Sequence, residues 1–206
     1  MNLIIIGAPG SGKGTQASRI VTDFGVAHIS TGNLLREAVR LGTKEGKIAK
    51  SLIESGKLVN DEIIFDMLNK RIKEPDCKNG FLLDGVPRNL AQIQFVEKLG
   101  IDKVIFIDVD FDAIKKRLTS RKSCKSCGGT FIDSDCKNGL CPVCKSKVYT
   151  RDDDKLEVIE KRLATYVEQT TPVVEFYKKS GKLITINGNQ SIDKVYGEIK
   201  KALSNG

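Results

Sequence analysis

No apolar run in these 206 residues approaches the ~20 that a membrane-spanning helix needs, so no membrane role is expected. No secretory leader is expected either. The first residues enter a short apolar strand directly, without a basic start and a longer apolar stretch. A soluble, cytoplasmic chain is the expectation. Histidine occurs once, as His28, and its place at a predicted strand end suits packing. There is no internal repeat and no low-complexity tract. Negative charge is in deficit, with 34 Lys and Arg against 26 Asp and Glu, a formal net charge of +8. Such a surplus suits nucleic acid or a substrate carrying several phosphates. Lys70, Lys73, Lys115, Lys116, Lys178 and Lys179 are scattered over predicted helix faces, the pattern of a solvated surface, so no nucleic-acid partner is expected. The length allows one core domain with insertions and a sizeable core.

What is present in concentrated form is glycine near the start. Residues 7–15 are Gly7-Ala-Pro-Gly-Ser-Gly-Lys-Gly-Thr15. They follow the apolar run 3–6, which predicts a buried strand. They precede 16–24, where Ala17, Ile20, Val21 and Phe24 recur at helical spacing. Strand, glycine-rich turn and helix is the context of a phosphate-binding loop, and Gly7 through Lys13 match G-x-x-x-x-G-K. Glycines let successive N–H groups face one concavity, and the helix adds the positive end of its dipole. Gly14 departs from the general pattern, since the hydroxyl comes one residue later, at Thr15.

Five of the six cysteines lie between 124 and 144. Cys124 and Cys127 form one C-x-x-C pair, Cys141 and Cys144 another, with thirteen residues between the pairs. This is close to zinc-ribbon spacing. Two disulfides are the competing reading, which a cytoplasmic setting disfavours. Four sulfur ligands would leave zinc no open position, so its role would be structural. Cys136 is left over, either a bystander or a rival ligand. The segment 122–153 is too poor in apolar residues to fold without a metal. Its only aromatics are Phe131 and Tyr149, which is thin for stacking bases.

Along the chain, strands are predicted at 3–6, 27–29, 81–83, 104–109 and 183–186. Helices are predicted at 16–24, 33–40, 44–54, 61–72, 91–98, 112–120, 154–177 and 192–203. Alternation of this kind predicts an α/β fold with a parallel sheet of five strands flanked by helices. Ligands belong beyond the carboxyl ends of its strands. Residues 30–59, opened by the capping candidate Ser30, and the cysteine segment interrupt the alternation as inserted lobes. Ser204, Asn205 and Gly206 are expected to fray.

Read together, these pieces resemble the adenylate kinase family over nearly the whole chain. The matching stretches are Gly7–Thr15, Ile29-Ser-Thr-Gly-Asn-Leu-Leu-Arg36, Gly56-Lys-Leu-Val59, Phe81-Leu-Leu-Asp-Gly-Val-Pro-Arg88, Gln92, Arg117-Leu-Thr-Ser-Arg121, Arg151-Asp-Asp153 and Lys161-Arg-Leu163. The cysteine insert resembles the zinc-bearing lid of the long bacterial form. The resemblance implies a P-loop NTPase-type core (1–29, 60–121 and 160–206), a monophosphate-binding lobe (30–59) and a zinc-containing lid (122–159). It implies reversible phosphoryl transfer from MgATP to AMP, giving two ADP, by a monomer. Gly10, Ser11, Gly12, Lys13, Gly14 and Thr15 would wrap the ATP phosphates, with Arg117 against the adenine. Lys13, Arg88, Arg121, Arg151 and Arg162 would stabilise the group in flight. Thr31, Arg36, Lys57, Val59, Gly85, Arg88 and Gln92 would hold AMP, with Thr31 and Gln92 at the positions that read its adenine. Asp84 would orient Mg²⁺ through its water ligands, its plainer alternative being a turn cap. Asp152 and Asp153 would pair with arginines as the lid closes, and Cys124, Cys127, Cys141 and Cys144 would bind Zn²⁺.

The chain departs from the family at Asn33, which stands where aspartate is usual, and at Val86 and Asn89, which replace the usual Phe and Thr. Asn89 is a variant associated with the related pyrimidine kinases, and the stretch between the cysteine pairs is shorter than in most zinc-bearing relatives. Two rival readings are a nucleic-acid-binding ribbon driven by the P-loop and a small-molecule kinase of the shikimate or gluconate type. The second would not need Thr31, Gln92, Arg36 and Arg88 together.

Overall fold

A computed structural model describes residues 1–204 of the chain. Its central sheet has the strand order β2-β3-β1-β4-β8, with every neighbouring pair parallel. The strands are β1 (Asn2–Ile6), β2 (Ala27–Ser30), β3 (Phe81–Asp84), β4 (Lys103–Asp108) and β8 (Leu183–Asn187). The predicted five-stranded parallel sheet is therefore present, with boundaries shifted by a residue or two.

Alternate side chains of these strands enter two different cores, as the pleat requires. Ile4 and Ile6 of β1, Leu83 of β3 and Val104 of β4 join one. Leu3, Ile5, Leu82 and Ile105 join the other. The first core is covered by α2 (Thr31–Leu41), α3 (Lys44–Glu54), α4 (Asp61–Arg71), α5 (Leu90–Glu97) and α8 (Thr171–Lys179). The second is covered by α1 (Lys13–Phe24), α6 (Phe111–Thr119), α7 (Leu156–Thr165) and α9 (Ile192–Ser204). Both faces of the sheet are thus closed to water, which explains why the strands read as continuous apolar runs. Its carboxyl-terminal edge is left to loops. Ser30 caps α2 by accepting from the Asn33 N–H at 3.4 Å, as its position suggested.

Three expectations need correction. Helix α1 begins at Lys13 rather than at residue 16, so the lysine sits in the first helical turn. The single helix expected over 154–177 begins at Leu156, after a 3-10 turn at Asp152–Asp154, and contains a π-helical turn at Tyr166–Thr170. The cysteine segment carries an antiparallel sheet, β6 (Thr130–Ile132), β5 (Arg121–Cys124) and β7 (Val148–Tyr149), in that order. Its strands have at most four residues, too short and too polar for a periodic signal. At the other end, α9 includes Ser204, while Asn205 and Gly206 lie outside the described residues.

Candidate functional site

The glycine-rich loop leaves the carboxyl end of β1 and enters α1. Gly12 takes the N-cap position in the left-handed region, with no side-chain cap. The first N–H groups of α1 are thus free for an anion. Gly10 has φ +83°, and a Cβ there would lie 2.7 Å from Leu118 Cγ, so only glycine fits. Lys13 Nζ folds back over the loop and donates to the carbonyl oxygens of Gly7 at 2.7 Å and Ala8 at 2.8 Å. Burial pushes Lys13 from 10.5 down to about 8; Asp84 pulls the other way, and Arg88, Arg162 and Arg121 deepen the depression. Ser11 Oγ is buried and has no hydrogen-bond partner among the described residues. Gly14 is exposed and Thr15 half-buried on α1. Arg117 donates to the Ser11 carbonyl at 3.4 Å and the Gly188 carbonyl at 2.8 Å, tying the loop to the segment after β8.

Beside this loop, at the ends of β2 and β3, lies a cavity of about 80 Å³. Thr31, Arg36, Lys57, Val59, Gly85, Arg88 and Gln92, the whole set expected on the acceptor side, line it together with Arg162 and Asp153. Thr31 Oγ1 donates to the Gly85 carbonyl at 2.9 Å, and Arg88 Nε donates to the same oxygen at 2.7 Å. Gly85 has φ +86°, and a Cβ there would lie 2.7 Å from Thr31 Oγ1 and 2.8 Å from Arg88 Nη2. Arg36 donates to Asn33 Oδ1 at 2.7 Å. Thr170, the last residue of the π turn, donates its hydroxyl to the Arg88 carbonyl at 2.8 Å. A π turn adds a residue to the helix locally, and here the irregular segment ends on an anchor for Arg88.

Cations dominate the space between loop and cavity. Arg121 grips Asp154 with two parallel bonds, Nε to Oδ2 at 2.7 Å and Nη2 to Oδ1. Arg162 Nη1 reaches Asp153 Oδ2 at 2.9 Å and Asp154 Oδ1 at 3.2 Å. Arg151 meets only hydroxyls in this network, Ser123 at 2.7 Å and Thr130 at 3.0 Å. Burial draws Arg151 down to about 9, and Arg36 and Arg121 add to the fall. Burial also lowers Arg36, Arg88 and Arg162, with neighbouring guanidinium groups contributing to each. Burial alone would raise Asp153, but Arg162, Arg121, Arg36 and Arg151 hold its carboxylate below the ordinary range. Asp84 is likewise held low against its burial, by His28, Lys13 and Arg88.

The partners differ from expectation in three places. Asp152 is exposed and makes no ion pair among the described residues, whereas Asp154, whose side chain is fully buried, pairs with two arginines. His28, expected only to pack, places Nε2 3.4 Å from Asp84 Oδ2. Asp61 accepts from Gln92 at 2.7 Å, a contact with no sequence signal beyond an acid in the first turn of α4. Asp154 was visible only as the third of three consecutive acids. The side that faces an arginine depends on the 3-10 turn, which periodicity does not reveal.

The four cysteines of the two C-x-x-C pairs converge, all four sulfurs lying within 4.8 Å of one another. Cys124 and Cys144 are 3.4 Å apart, Cys127 and Cys141 3.6 Å. Sulfurs at about 2.3 Å from a tetrahedral zinc stand about 3.8 Å apart, so the set fits that ion. None of the six cysteines is disulfide-bonded. Cys136 is buried outside the cluster, and burial raises its thiol.

Replacing Asp154 with alanine leaves the largely buried Arg121 without its carboxylate and Arg162 with Asp153 alone. The expected loss in unfolding free energy is about 3–5 kcal/mol, measured by urea denaturation of the ligand-free protein. A loss under about 1 kcal/mol would mean that Asp153 alone compensates both arginines.

A family model described as adenylate kinase matches residues 5–182. The adenylate kinase of Caldicellulosiruptor saccharolyticus is 47% identical, covering 98% of this chain and 99% of that protein. That of Thermodesulfovibrio yellowstonii is 44% identical, with 97% of each covered, and that of Clostridioides difficile is 43% identical over the full length of both. A phosphate loop, an arginine-lined cavity beside it and relatives similar from end to end agree, and the chain belongs to the adenylate kinase family.

Proposed function

We propose that this protein is a nucleoside monophosphate kinase that transfers a phosphoryl group reversibly from MgATP to AMP, giving two ADP. One observation carries the reading: the seven acceptor-side residues enclose a single cavity whose wall includes Arg88 and Arg162, the same arginines whose charge depresses Lys13 in the phosphate loop. Donor and acceptor phosphates would therefore meet in one cationic space.

An acceptor phosphate oxygen is already ionised, so the reaction needs no general base. It needs in-line positioning and neutralisation of charge on the transferring group. Arginine suits both tasks, because it stays charged and grips phosphate with paired N–H donors. In this reading Arg36 and Arg88 hold the AMP phosphate. Lys13, Arg121, Arg151 and Arg162 hold the ATP phosphates and the group in flight, while the N–H groups of Gly10 through Thr15 wrap them. Arg117 flanks the adenine of ATP. Asp153 and Asp154 balance Arg121 and Arg162 in the ligand-free protein and yield those donors to phosphate. Asp84, half-buried and held ionised beside Lys13, fits a role in holding the water ligands of Mg²⁺, which would neutralise phosphate charge. Residues 30–59 and 122–159 act as lobes closing on the core formed by 1–29, 60–121 and 160–206, excluding water so that AMP is the only acceptor. Cys124, Cys127, Cys141 and Cys144 hold a structural zinc that stiffens the lid. The enzyme works as a cytoplasmic monomer.

Assay of transfer from MgATP to AMP, IMP, GMP, UMP and CMP tests this directly. Preference for AMP with ADP as product is expected. Preference for UMP or CMP would keep the arginine roles and overturn the acceptor, pointing to Val86 and Asn89. Stripping zinc by a chelator should lower the thermal midpoint while leaving the initial rate at 25 °C largely intact; equal loss of rate in still-folded apoprotein would contradict a structural role. Phosphates favour the charged form of Lys13 and so raise its depressed pKa of about 8. MgATP binding at pH 8.5 should therefore take up protons, seen by calorimetry in two buffers of different ionisation enthalpy. The uptake should shrink towards zero at pH 7.2, where Lys13 is already charged, and no uptake at pH 8.5 would count against this role.

A further inference from the structure

We propose that Asp61 decides which edge of the Gln92 amide faces the acceptor base, which makes Asp61 a specificity-determining positioning residue. The inference rests on the AMP reading above. Asp61 is the first residue of α4, behind Asn60 at the cap. A carboxylate is favoured at a helix start by the dipole, yet this one reaches across to the start of α5. Its Oδ1 accepts from Gln92 Nε2 at 2.7 Å, and its two oxygens stand 3.2 and 3.3 Å from Asn89 Nδ2. Asn89 is itself held by capping α5, where its Oδ1 accepts from the Gln92 N–H at 2.9 Å. Its amide nitrogen is thereby turned towards Asp61.

The other end of the Gln92 amide is also held. Its Oε1 accepts from the Arg88 N–H at 2.7 Å. A carboxylate only accepts and a main-chain N–H only donates. The flipped amide would set oxygen against the carboxylate and NH₂ against N–H. Gln92 is only 2% exposed, so water could not relieve either conflict. One orientation remains, and it leaves Gln92 one N–H and one oxygen lone pair on the wall of the cavity.

Adenine presents an amino donor beside a ring-nitrogen acceptor, the complement of that free pair. Hypoxanthine presents a carbonyl acceptor beside an N–H donor, which needs the flipped amide. Asp61 therefore favours adenine without touching it. Asn89, where the family usually has threonine, brings a second donor to the same carboxylate.

The test compares kcat/KM for AMP and IMP in the wild type, Asp61→Ala and Asp61→Asn. Alanine removes both acceptor oxygens, while the isosteric asparagine keeps one and keeps the test open should the alanine variant not fold. The AMP-to-IMP ratio should fall about tenfold in Asp61→Ala and less in Asp61→Asn. The fall should come through a raised KM for AMP, with kcat for AMP nearly unchanged. An unchanged ratio in folded variants, or an equal loss of kcat on both substrates, would overturn the proposal. Indifference of the wild type to AMP and IMP would instead overturn the acceptor reading, and this inference with it.

Discussion

Too many positive charges share one half-buried space, and the rest of the site is organised around that excess. Lys13, Arg36, Arg88, Arg121, Arg151 and Arg162 crowd against Asp84, Asp153 and Asp154. Burial lowers Lys13, Arg36, Arg88, Arg151 and Arg162, and in each case other cations lower it further. A cluster of this kind costs stability unless anions share it. The carboxylates supply part of that charge within the protein, and the phosphates of two nucleotides would supply the remainder. On this view the discomfort of the ligand-free site is the source of its affinity, since cations held apart from water interact strongly with whatever anion enters.

Such crowding requires a stiff frame. A sheet buried on both faces provides it, with β1 and β3 side by side at the centre, Ile5 in register with Asp84. The phosphate loop leaves one of these strands and Asp84 ends the other, so their separation is set by backbone pairing and not by flexible loops. Side chains are then fixed individually: Arg88 by the Gly85 carbonyl and its own carbonyl by Thr170, Gln92 by Arg88 and Asp61, Arg151 by Ser123 and Thr130. Apart from Arg88 and Gly85, which share one loop, these contacts join residues from different elements or from a loop and the helix it enters.

Sequence alone carried much of this, where local rules apply. The glycine loop announces itself because φ near +83° with Leu118 close by excludes other residues at Gly10. The five buried strands announce themselves as apolar runs, and the two C-x-x-C pairs by a spacing that a tetrahedral ion imposes. The expected acceptor residues, scattered from Thr31 to Gln92, surround one cavity, although nothing local in the chain brings them together; the family resemblance did. What stayed hidden depends on tertiary geometry. Asp154 rather than Asp152 meets the arginines because a 3-10 turn rotates the three acids. Asp61 meets Gln92 across thirty-one residues of chain. His28 meets Asp84 because β2 pairs with β3. The sheet β5–β7 lacks the apolar alternation that would reveal it.

A site short of anions should be stabilised by polyphosphate. Urea unfolding should be measured in increasing inorganic tripolyphosphate, against sodium chloride matched in ionic strength. A saturable rise in unfolding free energy is predicted, about 2.7 kcal/mol at a hundredfold excess over the dissociation constant, with no such rise in chloride. Identical curves in the two salts would contradict the account.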